Sequence, residues 1–267
     1  MLSIEWILIF ILLGSLVGFI AGLLGAGGGG ILVPLLATIF SLQGISSDRV
    51  IHLALGTALA CMIVSSIASL RAHASHGAVI WKVVYGMAPG IIIGAFFTSR
   101  LASYVNSIYI AIFFSAFMAL IALQLFLNWK PKASDKAVNF RGLFLAGTGI
   151  GSVSALAAVG GGFLMVTYLS YKNFDLKKAI GTSAAIGFPI AIAGTLGYMI
   201  NGWSSTANTP YTLGFVYLPA FIAVSIASVI AVPLGAKFAQ RLPDIYLKKI
   251  LAVISLLLSV KMLWSVI

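Results

Sequence analysis

Charge is scarce in this sequence. Asp, Glu, Lys and Arg make up 8% of the 267 residues, where a soluble domain carries about 25%. So little charge cannot clothe a water-facing surface, which excludes a soluble all-helical protein. Carboxylates are scarcer still. Glu5, Asp48, Asp135, Asp175 and Asp244 are the full set, and each falls in a loop or at the end of an apolar run. Proton pumps and cation carriers place Asp, Glu or His at mid-membrane, so their absence there argues against a cation cargo and against a buried carboxylate relay. The single cysteine, Cys61, has no partner for an internal disulfide and reads as a small packing residue in an apolar run. His52, His73 and His76 lie near run ends and read as surface side chains. His73 and His76 have the spacing of a metal pair, but no third ligand accompanies them, so no metal or other cofactor is expected. No nucleophile–base arrangement and no nucleotide loop is present, which leaves neither an enzyme nor an ATP-driven pump. The net charge of +11 would suit nucleic acid in a soluble protein. Here no basic stretch interleaved with aromatics lies in a polar domain, so no nucleic-acid partner is expected. Residues 1–24 lack a basic leader, which argues against a cleaved signal peptide.

Apolar text fills the rest. Hydrophobic residues are 61% of the chain and the mean hydropathy is +1.13. Ten apolar segments follow one another at 4–24, 27–42, 50–70, 79–101, 105–127, 140–158, 161–171, 178–200, 213–238 and 245–266. Crossing about 30 Å of hydrocarbon takes about 20 residues of helix, so the fold class is an all-α polytopic transmembrane protein with the lipid bilayer as its solvent. The second and seventh segments are short. Each is read with its predecessor as a bent pair that enters the membrane, breaks near mid-depth and returns.

The chain also repeats itself. Gly14, Gly18 and Gly27–Gly29 recur 133 positions later as Gly147, Gly151 and Gly160–Gly162. Gly56-Thr57-Ala58 recurs at an offset of 125 as Gly181-Thr182-Ser183, and Gly77-Ala78-Val79 recurs at 137 as Gly214-Phe215-Val216. The halves are an N-terminal repeat, 1–128, and a C-terminal repeat, 139–267, joined by a polar cytoplasmic linker at 129–138. With five segments per half, 13 Lys and Arg fall on one side and 3 on the other, and the basic side is cytoplasmic. Not letting the bent pairs return would move Lys172, Lys177, Lys178 and the cluster at 237–249 outside, which the charge bias rejects. An odd count per half inserts the second half upside down, with both termini outside. That is the inverted-repeat plan of secondary transporters, whose substrate sits at the midplane between Gly-interrupted helices.

Two glycine strings are the pointers: 25–30 (Gly-Ala-Gly-Gly-Gly-Gly) and 158–162 (Ala-Val-Gly-Gly-Gly). Glycine costs about 1 kcal/mol relative to alanine within a helix, so consecutive glycines break it. The next helix then starts at membrane depth, where its free N–H groups and dipole favour an anion. The first string also satisfies a dinucleotide fingerprint, but its flanks are apolar helix, not a strand and a βαβ unit. The candidate substrate-binding residues are Gly27, Gly28, Gly29, Gly160, Gly161 and Gly162 through their amides, and Thr57, Thr182 and Ser183 through their hydroxyls. A competing reading has those hydroxyls bond the helix backbone. Gly14-Gly18-Gly22, Gly86-Gly90-Gly94 and Gly147-Gly151 have the four-residue spacing of helix packing. Pro34 and Pro189 should kink their helices.

At Gly22-Leu23-Leu24-Gly25-Ala26-Gly27-Gly28-Gly29, Gly56-Thr57, Gly160–Gly162, Ala179-Ile180-Gly181-Thr182-Ser183 and the closing stretch from Leu234 to Leu263, the sequence resembles the TauE/SafE family of sulfite exporters and related membrane permeases. The resemblance spans nearly the whole chain. It implies transport of sulfite or another small sulfur oxyanion or organosulfonate across the bacterial plasma membrane. The first half departs from the pattern, with Ala58-Leu59 where the second half has Ser183, and with a longer 43–51 loop. The partners expected are a small anionic substrate and lipid, and the Gly-rich faces suit a homodimer. The rival readings are a channel-like or non-transport assembly partner, and a carrier of a neutral solute.

Overall fold

The computed structural model describes residues 4–24, 28–127, 139–207 and 209–264. Gly25–Gly27 and the 129–138 linker lie outside the described residues. The helices, in chain order, are α1 (Ile4–Leu24), α2 (Gly29–Leu42), α3 (Ser47–Ala74), α4 (Trp81–Ala102), α5 (Ser107–Phe126), α6 (Phe140–Ala157), α7 (Gly162–Tyr171), α8 (Leu176–Ser205), α9 (Leu218–Arg241) and α10 (Asp244–Trp264). Each apolar segment becomes one helix. Seven are long and apolar enough to cross a membrane, and α2 and α7 are shorter.

Three boundaries differ from the sequence reading. α3 and α8 run to 28 and 30 residues, because the polar residues at their ends continue the helix. In α3, Asp48 in the first turn and Arg71 in the last complement the helix dipole. The segment expected to begin at 213 opens instead with a two-stranded hairpin, β1 (Thr212–Leu213) and β2 (Val216–Tyr217), and α9 starts after it with proline in its first turn.

α3 and α8 form the centre. Of their spans, 83% and 78% is buried, against 39–50% for the other five. They cross antiparallel: Gly194 faces Leu59, and Gly187 faces Ser66. α1 lies along α9 in the same direction, with Gly14 against Val224, Gly18 against Ser228 and Gly22 against Val232. α4 lies along α6 in the same way, with Gly90 against Phe144 and Gly94 against Thr148. A Cβ on Gly18 would stand 2.6 Å from Ser228 Cα, so these backbones touch because the side chains are missing. The packing role expected of the four-residue glycine stripes is the one the structure gives them. α5 and α10 are joined by Ser115 and Ser259, whose hydroxyls donate to each other's carbonyl at 2.8 and 2.9 Å. Large apolar side chains such as Leu12, Ile226 and Leu257 face outward, as a lipid-facing surface requires.

Basic residues gather at one end of the bundle. There His73 Nε2 donates to Gly22 O at 3.2 Å, and Ile80 N–H donates to Thr182 Oγ1, with Arg71, Lys82, Lys177 and Lys178 on the same helix ends. At the opposite end His52 is enclosed. Its Nε2 donates to the carbonyls of Ala102 and Val105 at 3.2 and 3.1 Å, and its Nδ1 lies 3.2 Å from Asp48 O. His52 and His73 are therefore buried, at 4% and 1% exposure, and the surface reading holds for His76 alone. The reason is that helix ends in this bundle pack on one another, so a run end is not a surface.

Candidate functional site

Both glycine strings are helix breaks with the same backbone. α2 is capped by Gly28 at φ 74°, ψ −10°, and α7 by Gly161 at φ 71°, ψ −11°. A side chain is strained in that left-handed conformation, so glycine is needed at both positions. Ala158, which caps the end of α6, is also left-handed at φ 47°. At the start of each new helix the first N–H groups have no intrahelical acceptor. In α2 these include Gly29 and Gly30; in α7 they are Gly162, Phe163 and Leu164.

The two breaks meet. A Cβ on Gly29 would run into Ala158 O and stand 3.3 Å from Met62 Sδ, and one on Gly30 would stand 2.9 Å from Val159 Cγ2. Met62 lies near the middle of α3, and Gly161 faces Ile186 and Ile190 near the middle of α8. Both breaks are therefore at the half-height of the central pair. Gly28, Gly29, Gly160, Gly161 and Gly162 are all buried there. Gly27 lies outside the described residues. The described acids are remote: Glu5, Asp48, Asp175 and Asp244 sit in the first turn or at the cap of a helix.

Space at the breaks is small. A void of about 20 Å³ lies between Gly28, Gly30, Val159, Met118, Phe163 and Leu258. Phe163 and Leu251 separate it from a second cavity of about 570 Å³ between α5, α6, α7 and α10. That cavity is apolar except for Gln124 and Thr167, which are hydrogen-bonded at 3.2 Å, and two tyrosines.

The three candidate hydroxyls are placed otherwise. Thr57 Oγ1 accepts the N–H of Tyr217 at 2.9 Å, and Thr182 Oγ1 accepts the N–H of Ile80 at 3.0 Å. Beside each, a glycine lets a carbonyl approach: Gly56 abuts Phe215 O, and Gly181 abuts Ala78 O. The Gly-Thr pair of each half thus grips the extended segment that leads into the fourth helix of the other half. Ser183 Oγ donates to Ile180 O in its own helix at 2.7 Å. None of the three sits between the breaks. Sequence reasoning missed a different set: Ser66, Ser69 and Ser154 are fully buried, and their hydroxyls have no partner among the described residues. The available signal was a serine inside an apolar run, which no motif singles out.

Apolar helices of membrane-spanning length, with two helix breaks buried at the half-height of the central pair, define a multi-pass membrane protein. In a bacterium a helical multi-pass chain belongs to the plasma membrane, since outer-membrane spans are barrels. The family follows from comparison: residues 10–262 match the model of the sulfite exporter TauE/SafE family, and the chain belongs to that family. It is 30% identical over 259 residues to a probable membrane transporter protein of Haemophilus influenzae, covering 97% of this chain and 98% of that one. A probable membrane transporter protein of Methanocaldococcus jannaschii is 26% identical, with 94% of each chain covered. One of Bacillus subtilis is 26% identical over 90% of this chain and 94% of its own. No solved structure matches significantly. The chain is thus a member of a membrane transporter family.

Proposed function

We propose that the chain is a secondary carrier that moves a small anion, a sulfur oxyanion such as sulfite or an organosulfonate, across the plasma membrane by alternating access. The observation that carries this reading is the meeting of two glycine-capped helix starts at half-height with no carboxylate near them among the described residues. Two N-termini give a positive potential and free N–H donors, which suits an anion and repels a cation. The sulfur chemistry rests on the family description alone.

The helix directions support two halves inserted upside down. α1 runs towards the basic end, where its last turn meets His73. α6 lies along α4 and runs away from that end. The pairing α1 with α9 is repeated as α6 with α4, which is what exchange of the halves would produce. The halves are unequal where they should match. α10 packs on α2, whereas α5 and α7 flank the large cavity and are joined across it by the Gln124–Thr167 hydrogen bond. Such inequality is what alternating access requires, one pathway being packed while the other is open. Phe163 and Leu251, between the cavity and the breaks, are the partition that would have to move.

The test is flux of labelled sulfite in vesicles holding the purified protein. Saturable flux should appear, compete with related anions, and vanish in Gly28→Leu and Gly161→Leu while both variants still insert. Full flux in those variants would remove the breaks from the site. Absence of saturable anion flux in the wild type would favour the neutral-solute or assembly-partner readings.

A further inference from the structure

Exchange of the halves maps Met62 of α3 onto Gly187 of α8, and Ser66 onto Ala191, both at an offset of 125. The two central helices therefore present different chemistry to the two breaks. On one side the Met62 sulfur fills the volume beside Gly29. On the other, Gly187 has no side chain, and the Ser66 hydroxyl takes the place that one would occupy. A Cβ on Gly187 would stand 2.9 Å from Ser66 Oγ and 3.2 Å from Gly160 O, so the hydroxyl lies beside the second break. Ser66 is fully buried, and its Oγ has no hydrogen-bond partner among the described residues. A buried hydroxyl without a partner is unfavourable, and serine in a helix normally relieves it by bonding the carbonyl one turn back. Ser255, Ser183 and Thr182 do that here. Ser66 does not.

We infer that Ser66 is a substrate-binding residue: its hydroxyl donates a hydrogen bond to an oxygen of the bound oxyanion, which sits off the pseudo-symmetry axis on the Gly160–Gly162 side, where the bare Gly187 backbone lets that hydroxyl reach the second break. This rests on the anion-carrier reading and adds to it a side chain and a direction. An oxyanion supplies what the hydroxyl lacks, an acceptor, and hydrogen bonds to a charged acceptor are the stronger kind. Met62 at the equivalent position closes the first break to the same role. The site would then be asymmetric although the fold repeats.

The experiment titrates purified protein with sulfite and follows thermal unfolding, since a ligand that binds the folded state raises its apparent stability. Sulfite flux in vesicles is measured alongside. Wild type, Ser66→Ala, Gly187→Met and the control Ser255→Ala are compared. Ser66→Ala should leave the melting temperature of the empty protein unchanged or slightly raised, because it removes an unpartnered group. It should raise both the half-saturating sulfite concentration and the KM of flux about tenfold or more. Gly187→Met should lose sulfite protection, and Ser255→Ala should keep it. Sulfite titration of Ser66→Ala that coincides with wild type overturns the inference and leaves anion transport standing. No sulfite protection or flux in the wild type overturns both.

Discussion

Thr57 and Thr182 separate two explanations of the same motif, and substitution by valine tells them apart. Thr182 is fully buried, and its Oγ1 accepts the N–H of Ile80 at 3.0 Å while donating to Lys178 O at 2.7 Å. Thr57 is fully buried, and its Oγ1 accepts the N–H of Tyr217 at 2.9 Å. Valine keeps the shape and removes the acceptor. The donor left behind belongs to a half-buried segment pinned by the adjacent glycine, so it cannot turn to water without moving the start of α4 or α9. Leaving a buried donor unsatisfied costs about 1–3 kcal/mol. For a chain of this size about 1 kcal/mol shifts the melting temperature by about 2–4 °C, so each variant should melt about 2–12 °C lower in the absence of any anion. The double variant should lose about the sum, since the two contacts sit at opposite ends of the bundle and share no partner. The assay is thermal unfolding of the purified protein in detergent at one scan rate, with sulfite titrated in parallel. If the hydroxyls are clamps, the empty protein loses stability and the half-saturating sulfite concentration stays within about twofold. A Thr182→Val protein that melts like wild type when empty but no longer responds to sulfite would refute the clamp and return Thr182 to the substrate.

The remaining predictions test the backbone. Gly181→Ala should destabilise more than Thr182→Val, because its Cβ meets the Ala78 carbonyl, whereas Gly149→Ala, with open space around it, should be neutral or stabilising by up to about 1 kcal/mol; unfolding of both variants checks this. Ala158→Gly should raise the melting temperature, since alanine at φ 47° carries about 1–2 kcal/mol of strain that glycine relieves, less its entropy cost. His52→Ala removes contacts to Ala102, Val105 and Asp48 and should cost about 1–3 kcal/mol. Faster hydrogen exchange confined to the α4–α5 connection would report it. Gly22→Leu should block assembly of α1 on α9, seen as loss of the folded peak in size-exclusion chromatography, because the Val232 carbonyl occupies the site of its Cβ.

Helix count and order were legible because hydrophobic length is a strong signal in lipid, and each of the ten runs from 4–24 to 245–266 became one helix. The breaks were legible because consecutive glycines have few other uses. Gly28 and Gly161, matched by position in the repeat, have φ values of 74° and 71°. The role of Gly56-Thr57 and Gly181-Thr182 was not legible. Periodicity shows that a hydroxyl lies on a helix, but its partners, Tyr217 and Ile80, are 160 and 102 residues away, and only the crossing of the halves brings them in. His52 and His73 were misplaced for a related reason: a run end is a sequence property, whereas burial depends on what packs over it. Ser66 carried no signal in the text, because a serine amid apolar residues is common in membrane helices and its lack of a partner is a fact of three dimensions.

The size of the void at the breaks constrains how a carrier of this plan can work. About 20 Å³ is room for about one water, which needs roughly 10–15 Å³ of such space, and a sulfur oxyanion is larger than water. The conformation described is therefore closed at its centre, and binding requires Gly30 to part from Val159 or Phe163 to swing away. α3 and α8 are the wrong elements to move, since they are the most buried and are gripped at both ends by the Gly-Thr pairs. The α5–α10 pair is the better candidate. Met118 of α5 and Leu258 of α10 line the void, Leu251 lines both void and cavity, and the pair is joined through Ser115 and Ser259. Tilting that pair as one body would open one side of the breaks while closing the other. If so, a crosslink between α10 and α2, which are packed in this state, should arrest flux without lowering stability. Crosslinking α1 to α9, which are packed along their length through Gly14, Gly18 and Gly22, should leave flux intact.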